Sequence, residues 1–353
     1  MSRTPGWIRG FGLTERRERS KLSESSEPTD PSAPVNDLAA PLGAPIDDLV
    51  IPLAAPVADL AAPLAAPWQH GVRRLLRNRL AVAGMVIIGA LALCAIAAPV
   101  LASEHPDPAT GIWSINLRGV LRAPTAAHPL GTDSLGRDQW SRMVYGARIS
   151  LVIGFVSVAL AIVIGTLLGA VAGFLGGPAD QVIMRAMDVM LAFPSILLAL
   201  AIVVLIGQGL LNVMLAVGII SIPTYARIVR ASVLAEVVQD YVAASRALGA
   251  GNARILFLHV LPNVLSPLIV AASLGIGTAI LDAAGLGFLG LGAQPPLAEW
   301  GLMLSDNRQK LFSEWWLVVC PGVAIMLTVL GFNLLGDGLR DTLDPRLRHR
   351  GLG

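Results

Sequence analysis

The sequence predicts an all-α membrane protein with six transmembrane helices behind a disordered N-terminal arm. Of its 353 residues, 54% are hydrophobic and only 14% are charged, and the mean hydropathy is +0.68. An average soluble domain is much less apolar than this. Apolar runs of about 20 residues, the length of a helix that crosses a bilayer, recur after residue 79, whereas residues 1–68 carry regularly spaced prolines.

Six segments are long and apolar enough to span a membrane as helices. They lie at residues 80–101, 151–174, 187–207, 211–229, 261–281 and 315–335. Proline interrupts four of them, at Pro194, Pro223, Pro267 and Pro321. Membrane helices tolerate such breaks where neighbouring groups bind the freed carbonyls. The sequence therefore predicts a six-helix domain over residues 69–348, followed by a short tail at 349–353.

Arginine placement predicts the orientation in the membrane. Arginine clusters precede the first predicted span at 73–79, follow the fourth at 227–254 and follow the sixth at 340–350. Basic residues close to span ends mark the cytoplasmic side. The long 102–150 loop also carries arginines, but the agreement of the three clusters outweighs it. We therefore expect a multi-pass protein of the cell's inner membrane with both termini in the cytoplasm.

The N-terminal arm, residues 1–68, contains an eleven-residue repeat marked by Asp37, Asp48 and Asp59. An apolar repeat of this length can form a right-handed coiled coil, but two prolines per repeat exclude a helix. A cleaved signal peptide is not predicted, because the residues after Met1 contain no apolar core. We expect a disordered cytoplasmic spacer, with a binding function as the less favoured alternative.

The 230–262 loop between the fourth and fifth spans predicts two short helices joined at a sharp corner. Asp240 can cap the first helix and Gly249 can end it in a left-handed turn. Asn252 can cap the second helix, and Pro262 prevents its unmodified continuation. Such an arrangement would form a rigid knob at the end of the bundle.

The order of residues in this loop resembles a known motif. The run Ala243-Ala244-Ser245, then Gly249, then Leu261-Pro262 is similar to the "EAA" cytoplasmic loop of inner-membrane subunits of ATP-binding-cassette importers. The chain departs from that pattern at Ala243, where the family has Glu, at Ser245, where it has Ala, and at His259, where it has Ile. The missing Glu removes one half of a capping box.

In that family the loop presses into a groove of a separate ATPase subunit. The resemblance therefore implies a mechanical contact and no chemistry at this loop. The residues implied in the contact with the ATPase are Asp240, Tyr241, Ala243, Ala244, Ser245, Arg246, Gly249 and Pro262.

A second segment, residues 128–150, predicts an amphipathic elbow at the outer membrane surface. Thr132 or Asp133 can cap its helix, and Asp138 and Arg142 are one turn apart and can pair. The alternative is an amphipathic connector without a ligand. The run Gly131-Thr132-Asp133, then Gly136-Arg137-Asp138, also resembles the outer segment of dipeptide, oligopeptide and nickel importer permeases.

Two further runs, at 288–301 and 336–346, are similar to the same permeases, so the resemblance covers residues 73–348. It implies the type I importer permease fold. The second span carries Gly165, Gly169 and Gly173 at four-residue intervals, which allows another helix to approach closely. Packing within the chain and contact with another subunit are equally compatible with these glycines.

Enzymatic chemistry is not indicated by any motif of the sequence. The two lysines, Lys21 and Lys310, do not lie in a phosphate-binding loop, and neither a zinc-protease motif nor a nucleophile elbow occurs. We therefore expect no catalytic residue, metal or cofactor in this chain, with ATP and Mg²⁺ used by a partner ATPase. Nucleic-acid binding is not predicted, because the sequence has no basic patch interleaved with aromatic residues.

Three acidic residues near the ends of predicted spans are candidates for a functional role. Pairing with basic groups at the membrane interface would explain them equally well. They are Asp188, which lies close to Arg185 in sequence, Asp282 and Asp337. A self-sufficient secondary transporter should carry inverted repeats or ionisable groups at the bilayer centre, and neither is evident.

The favoured reading is the permease half of a di- or oligopeptide importer. Its expected partners are a second permease, one or two ATPases, an extracytoplasmic binding protein and membrane lipid. Nickel or another small solute is the alternative substrate.

Overall fold

A computed structural model of the chain describes residues 75–107, 111 and 113–343. The predicted arm at 1–68, the tail at 349–353 and the last arginine-rich stretch at 344–350 lie outside the described residues. Within the described ranges the regular structure is helical, apart from one isolated bridge between Thr132 and Asp138.

From Arg79 on, eleven α-helices define the described part of the fold, and they are numbered here in chain order. They are α1 Arg79–Ile96, α2 Ala98–Leu101, α3 Gln139–Leu175, α4 Gly177–Leu191, α5 Ser195–Ile206, α6 Leu210–Val237, α7 Asp240–Ala247, α8 Asn252–Arg254, α9 Leu261–Phe288, α10 Trp300–Asn307 and α11 Trp316–Leu343. A π-helical turn, Ile255–Val260, joins α8 to α9. Short 3₁₀ turns at Leu117–Gly119 and Arg308–Lys310 lie in the loops.

Five of the helical stretches are long and apolar enough to cross a membrane: α1, α3, α6, α11 and the continuous run from Asn252 to Phe288. The pair α4 and α5 gives a sixth candidate, which is bent by 93°. The all-helical membrane fold with up to six spans is therefore confirmed. Pro223, Pro267 and Pro321 lie inside α6, α9 and α11 without ending them.

The third span differs from the prediction of one helix over 187–207. The chain breaks after α4, and α5 begins directly after Pro194. Proline lacks an N–H and disfavours a helical residue before it, which accounts for a break at this position. At 12 residues, α5 is about 18 Å long, too short to cross the hydrocarbon core alone.

The second span also differs from the predicted boundaries. The expected elbow helix and the 151–174 span form one continuous helix, α3, of 37 residues. It begins after Asp138, whose carboxylate accepts the Ser141 N–H at 2.8 Å. One helix therefore connects the loop that precedes Gln139 to the far end of the bundle.

Helices α3 and α6 pack closely against each other in the core. The structure places Gly165, Gly169 and Gly173 against α6 of the same chain. A Cβ atom at Gly169 would lie 2.3 Å from the Ala226 carbonyl oxygen, and one at Gly173 would lie 2.9 Å from that of Arg230. These glycines therefore serve packing within the chain.

Substitution of Gly169 by Ala should destabilise the protein, because its methyl group would overlap with backbone that cannot move freely. We expect a loss of about 1 to 3 kcal/mol of free energy of unfolding, the range for overpacked cores. The melting temperature of the purified protein in detergent measures this. Gly89→Ala is the matched control, since nothing lies within 4 Å of its added Cβ, and a loss of equal size there would contradict the packing role.

Candidate functional site

The loop from α6 to α9 forms the first candidate site. Helix α7 starts after Gln239, and no side chain caps it. Asp240 is its first residue, so the prediction that Asp240 caps this helix was wrong. Asn252 likewise follows the cap residue Gly251. Asp240 and Asn252 are each the first residue of their helix, one position after the residue that could cap it. Gly249 has φ +83°, the left-handed conformation that was predicted for the residue ending this helix.

The second predicted helix does not end at Pro262. The chain continues from Asn252 through a π-helical turn into α9, with Pro262 as the second residue of α9. A π turn widens the hydrogen-bond pattern locally, so the helix continues in modified form across the proline. The knob therefore consists of α7 and the corner at Gly249, and the helix after the corner belongs to a spanning helix.

A hydrogen-bond network holds α7 to both flanking spans. The Tyr241 hydroxyl donates to Glu236 Oε2 at 2.5 Å and accepts from Asn263 Nδ2 at 2.9 Å. Asn263 also donates to the His259 carbonyl at 3.2 Å. Burial and the Glu236 carboxylate raise the pKa of Tyr241, so its hydroxyl stays protonated as a donor. We call Glu236, Tyr241 and Asn263 the tyrosine clamp.

The surface of α7 that points away from the bundle is exposed. Ala243, Ala244 and Arg246 lie on it, and Leu248 just beyond it is 89% exposed. Val242 on the opposite face is buried, and the Ser245 hydroxyl donates to the Tyr241 carbonyl at 2.8 Å. The helix is therefore anchored on one side and presents a small-residue surface on the other, which suits a mechanical contact.

The predicted outer elbow, around Gly131 to Asp138, is a folded cap. Asp133 is 1% exposed, and its carboxylate accepts from Arg137 Nε at 2.7 Å and Arg142 Nη1 at 2.6 Å. Asp306 lies 3.9 Å from Arg137 and 3.7 Å from Arg142. Arg142 therefore pairs with Asp133, and the expected pairing with Asp138 was wrong.

Asp138 organises the other half of this cap. Its carboxylate caps α3, accepts from the Ser103 hydroxyl at 3.0 Å and lies 2.9 Å from His128 Nδ1. Thr132 donates to the Gly119 carbonyl and accepts from the Arg122 N–H, so neither Thr132 nor Asp133 caps a helix. The buried charges fold the outer loop onto the start of α3.

The two glycines of the motif allow close approach within the cap. Gly131 and Gly136 have φ +71° and +73°. A Cβ atom at Gly136 would lie 1.9 Å from the Asn116 carbonyl oxygen. The segment is therefore compact and hydrogen-bonded.

Sequence reasoning missed the role of Glu299. Its side chain is 2% exposed, and it accepts the N–H groups of Gly301 and Leu302 at 2.8 Å, which caps α10. The Ser150 hydroxyl on α3 donates to the same carboxylate at 3.3 Å. Burial raises the pKa of Glu299, while these donors oppose the shift. The available signal was its position inside the 288–301 run, which resembles the permease family.

Charged groups also meet between α4 and α6. Asp188 accepts from Arg227 Nη2 at 2.6 Å, and Asp180 pairs with Arg230 through both oxygens. Arg185, three residues before Asp188, does not pair with it. Among the ion pairs of the described ranges, none involves Asp282 or Asp337. Across those ranges, no group of three or more His, Cys, Asp or Glu is arranged to hold a metal ion.

Replacing Asp133 by Asn should destabilise the outer cap, because two buried guanidinium groups lose their shared carboxylate. Breaking a buried ion pair from one side costs about 3 to 5 kcal/mol. Thermal unfolding of the purified protein measures this. In the control, Glu314→Gln, the lost partner is the more exposed Lys310 at 3.8 Å, where about 0 to 1 kcal/mol is expected. Equal melting temperatures for the two variants would refute the cap's role.

Comparison with known proteins places the chain in a family. The family of inner membrane components of binding-protein-dependent transport systems matches residues 165–349. A second family, the N-terminal transmembrane domain of oligopeptide transport permease C, matches residues 66–123. A solved structure of the methionine transporter MetNI, facing inward, aligns at 22% identity and a TM-score of 0.48, covering 57% of this chain and 96% of that one.

Curated relatives are similar over most of their length. The dipeptide transport system permease protein DppC of Alkalihalophilus pseudofirmus is 49% identical, over 80% of this chain and 90% of the relative. The di/tripeptide permease DppC of Pseudomonas aeruginosa is 48% identical, over 77% and 90%. The glutathione permease GsiD of Pectobacterium atrosepticum is 46% identical, over 80% and 92%. The chain therefore belongs to the family of inner membrane components of binding-protein-dependent transport systems.

Proposed function

We propose that this chain is one permease half of an importer for dipeptides and that it is driven by separate ATPase subunits. The observation that carries the proposal is α7, an exposed helix fixed to two spanning helices by the tyrosine clamp. The names of the relatives support short peptides as substrates, since they include dipeptide, di/tripeptide and glutathione permeases.

In this proposal the chain transmits motion and binds no nucleotide itself. An ATPase that closes on ATP and Mg²⁺ would displace α7, which holds α6 through Glu236 and α9 through Asn263. Since α3 packs closely on α6, these spans would move together. Such rigid movement between two arrangements opens a pathway first to one side and then to the other.

The orientation of the chain in the membrane follows from assigning α7 to the contact with the ATPase. With α7 and both termini in the cytoplasm, the outer cap around Asp133 faces the extracytoplasmic side. There a binding protein would deliver the peptide, while a second, homologous permease would complete the pathway and lipid would cover the remaining apolar faces. These partners are inferred from the family and from the exposed helix surfaces.

The proposed function is tested by reconstituting the chain with its partner permease, ATPases and binding protein in liposomes. Dialanine uptake should require both internal ATP and the binding protein. If this chain alone imports dialanine, driven by an ion gradient and without ATP, the secondary-transporter alternative replaces the proposal.

Within that system, Tyr241→Phe should separate ATP hydrolysis from uptake. The variant loses only the hydroxyl that links α7 to α6 and α9. A hydrogen bond to a charged group is worth about 1.5 to 3 kcal/mol, so uptake per ATP hydrolysed should fall roughly tenfold or more. Assembly with the ATPases should persist. Tyr145→Phe, which removes a hydroxyl 3.3 Å from His105 in the outer loop, is the control. Unchanged coupling in Tyr241→Phe would count against the clamp.

A further inference from the structure

A charged cleft lies between α4 and α6, at the end of the bundle that carries α7. Its volume is about 620 Å³, and Asp180, Arg185, Asp188 and Arg230 line it together with the apolar Val182 and Met184. This volume falls within the range of roughly 300 to 1,000 Å³ that is usual for small-molecule sites. The cleft combines acids, bases and apolar surface in one place.

Arg185 supplies an unused cation to this cleft. Its side chain is exposed, and it has no hydrogen bond or ion pair with any residue that the structure describes. Beside it, the Asp188 to Arg227 pair is closed at 2.6 Å but only half-buried, with side-chain exposures of 51% and 50%. Asp188 therefore keeps lone pairs that a further donor can reach.

The position of these charges indicates that they face water or protein. Arg227 lies about 25 Å along α6 from Leu210 and about 15 Å from the end of the helix at Val237. It belongs to the arginine cluster that follows the fourth predicted span. The side chains of Arg227 and Asp188 are each about half exposed, so the pair is accessible from the cleft.

The arrangement matches the two ends of a small zwitterion. A dipeptide carries an ammonium group and a carboxylate at neutral pH. A guanidinium group presents two parallel donors that fit a carboxylate, which assigns the carboxylate to Arg185. The Asp188 carboxylate can accept from the ammonium group, and Val182 and Met184 offer apolar surface to the peptide's side chains. The carboxylates of Asp180 and Asp188 would repel a purely anionic ligand.

We propose that this cleft is a transient binding site for the transported peptide, with Arg185 holding its carboxylate end and Asp188 its ammonium end. The inference rests on the proposed peptide function and adds a contact site within the permease itself. It makes Arg185 a specificity-determining residue that acts after the binding protein has released its cargo.

The test uses the complete reconstituted complex with a photoreactive residue in the cleft. Val182, which is 70% exposed, is replaced by p-benzoylphenylalanine, and radiolabelled dialanine is supplied during turnover. Illumination should attach the label to this position in an ATP-dependent manner. The same residue placed at Val86 on α1, which is 64% exposed, should stay unlabelled.

Arg185→Gln should then lower the labelling roughly tenfold, as expected for the loss of one charge-assisted hydrogen bond. Arg185→Lys, which keeps the charge, should restore part of it. Arg79→Gln is the matched control, since Arg79 is exposed at the start of α1, and it should leave labelling unchanged. The affinity of the binding protein for dialanine should be the same throughout, which separates this site from delivery.

Background labelling in a complex that imports dialanine would overturn the inference while leaving the proposed function intact. A lipid adduct in place of the peptide adduct, or full labelling in Arg185→Gln, would overturn it equally. If the wild-type complex imports no dipeptide, the proposed function itself fails, and the inference fails with it.

Discussion

The close contact between α3 and α6 is the constraint on which the other described features depend. Glycine at 165, 169 and 173 lets the backbones meet where any side chain would overlap with Ala226 or Arg230. This contact sets Arg227 and Arg230 beside α4, and it fixes the end of α6 from which α7 projects. The outer cap is built on the start of the same α3. One helix pair therefore determines the geometry at both ends of the bundle.

The departure from the family motif at Ala243 is understandable from the described geometry. Neither Ala243 nor Asp240 caps α7, and the helix has no side-chain cap at its start. The tyrosine clamp supplies two side-chain hydrogen bonds that link α7 to its neighbours, one to Glu236 and one from Asn263. Anchoring by Tyr241 thus replaces local capping, and the exposed alanine surface stays available for a partner.

Sequence reasoning succeeded where the signal is local and failed where it is not. Span number, family and the left-handed Gly249 follow from hydropathy, motif spacing and backbone preference, all of which act over neighbouring residues. The cap of α3 was misplaced because Asp133 and Asp138 satisfy the same cap pattern within two turns. The start of α7 was misplaced because Gln239, which carries no cap signal, precedes its first residue. Pairs such as Asp188 with Arg227 join separate helices, so only the packed structure reveals them.

The length of α3 has a mechanical consequence. At 37 residues it is about 55 Å long, well beyond the roughly 30 Å of hydrocarbon that it must cross. Its two ends therefore project beyond the hydrocarbon on both sides. A tilt of about 10° around its midpoint would carry each end about 5 Å, in opposite directions. A small rotation at the membrane centre would thus displace the buried charges of the outer cap and the mouth of the α4 cleft in one stroke.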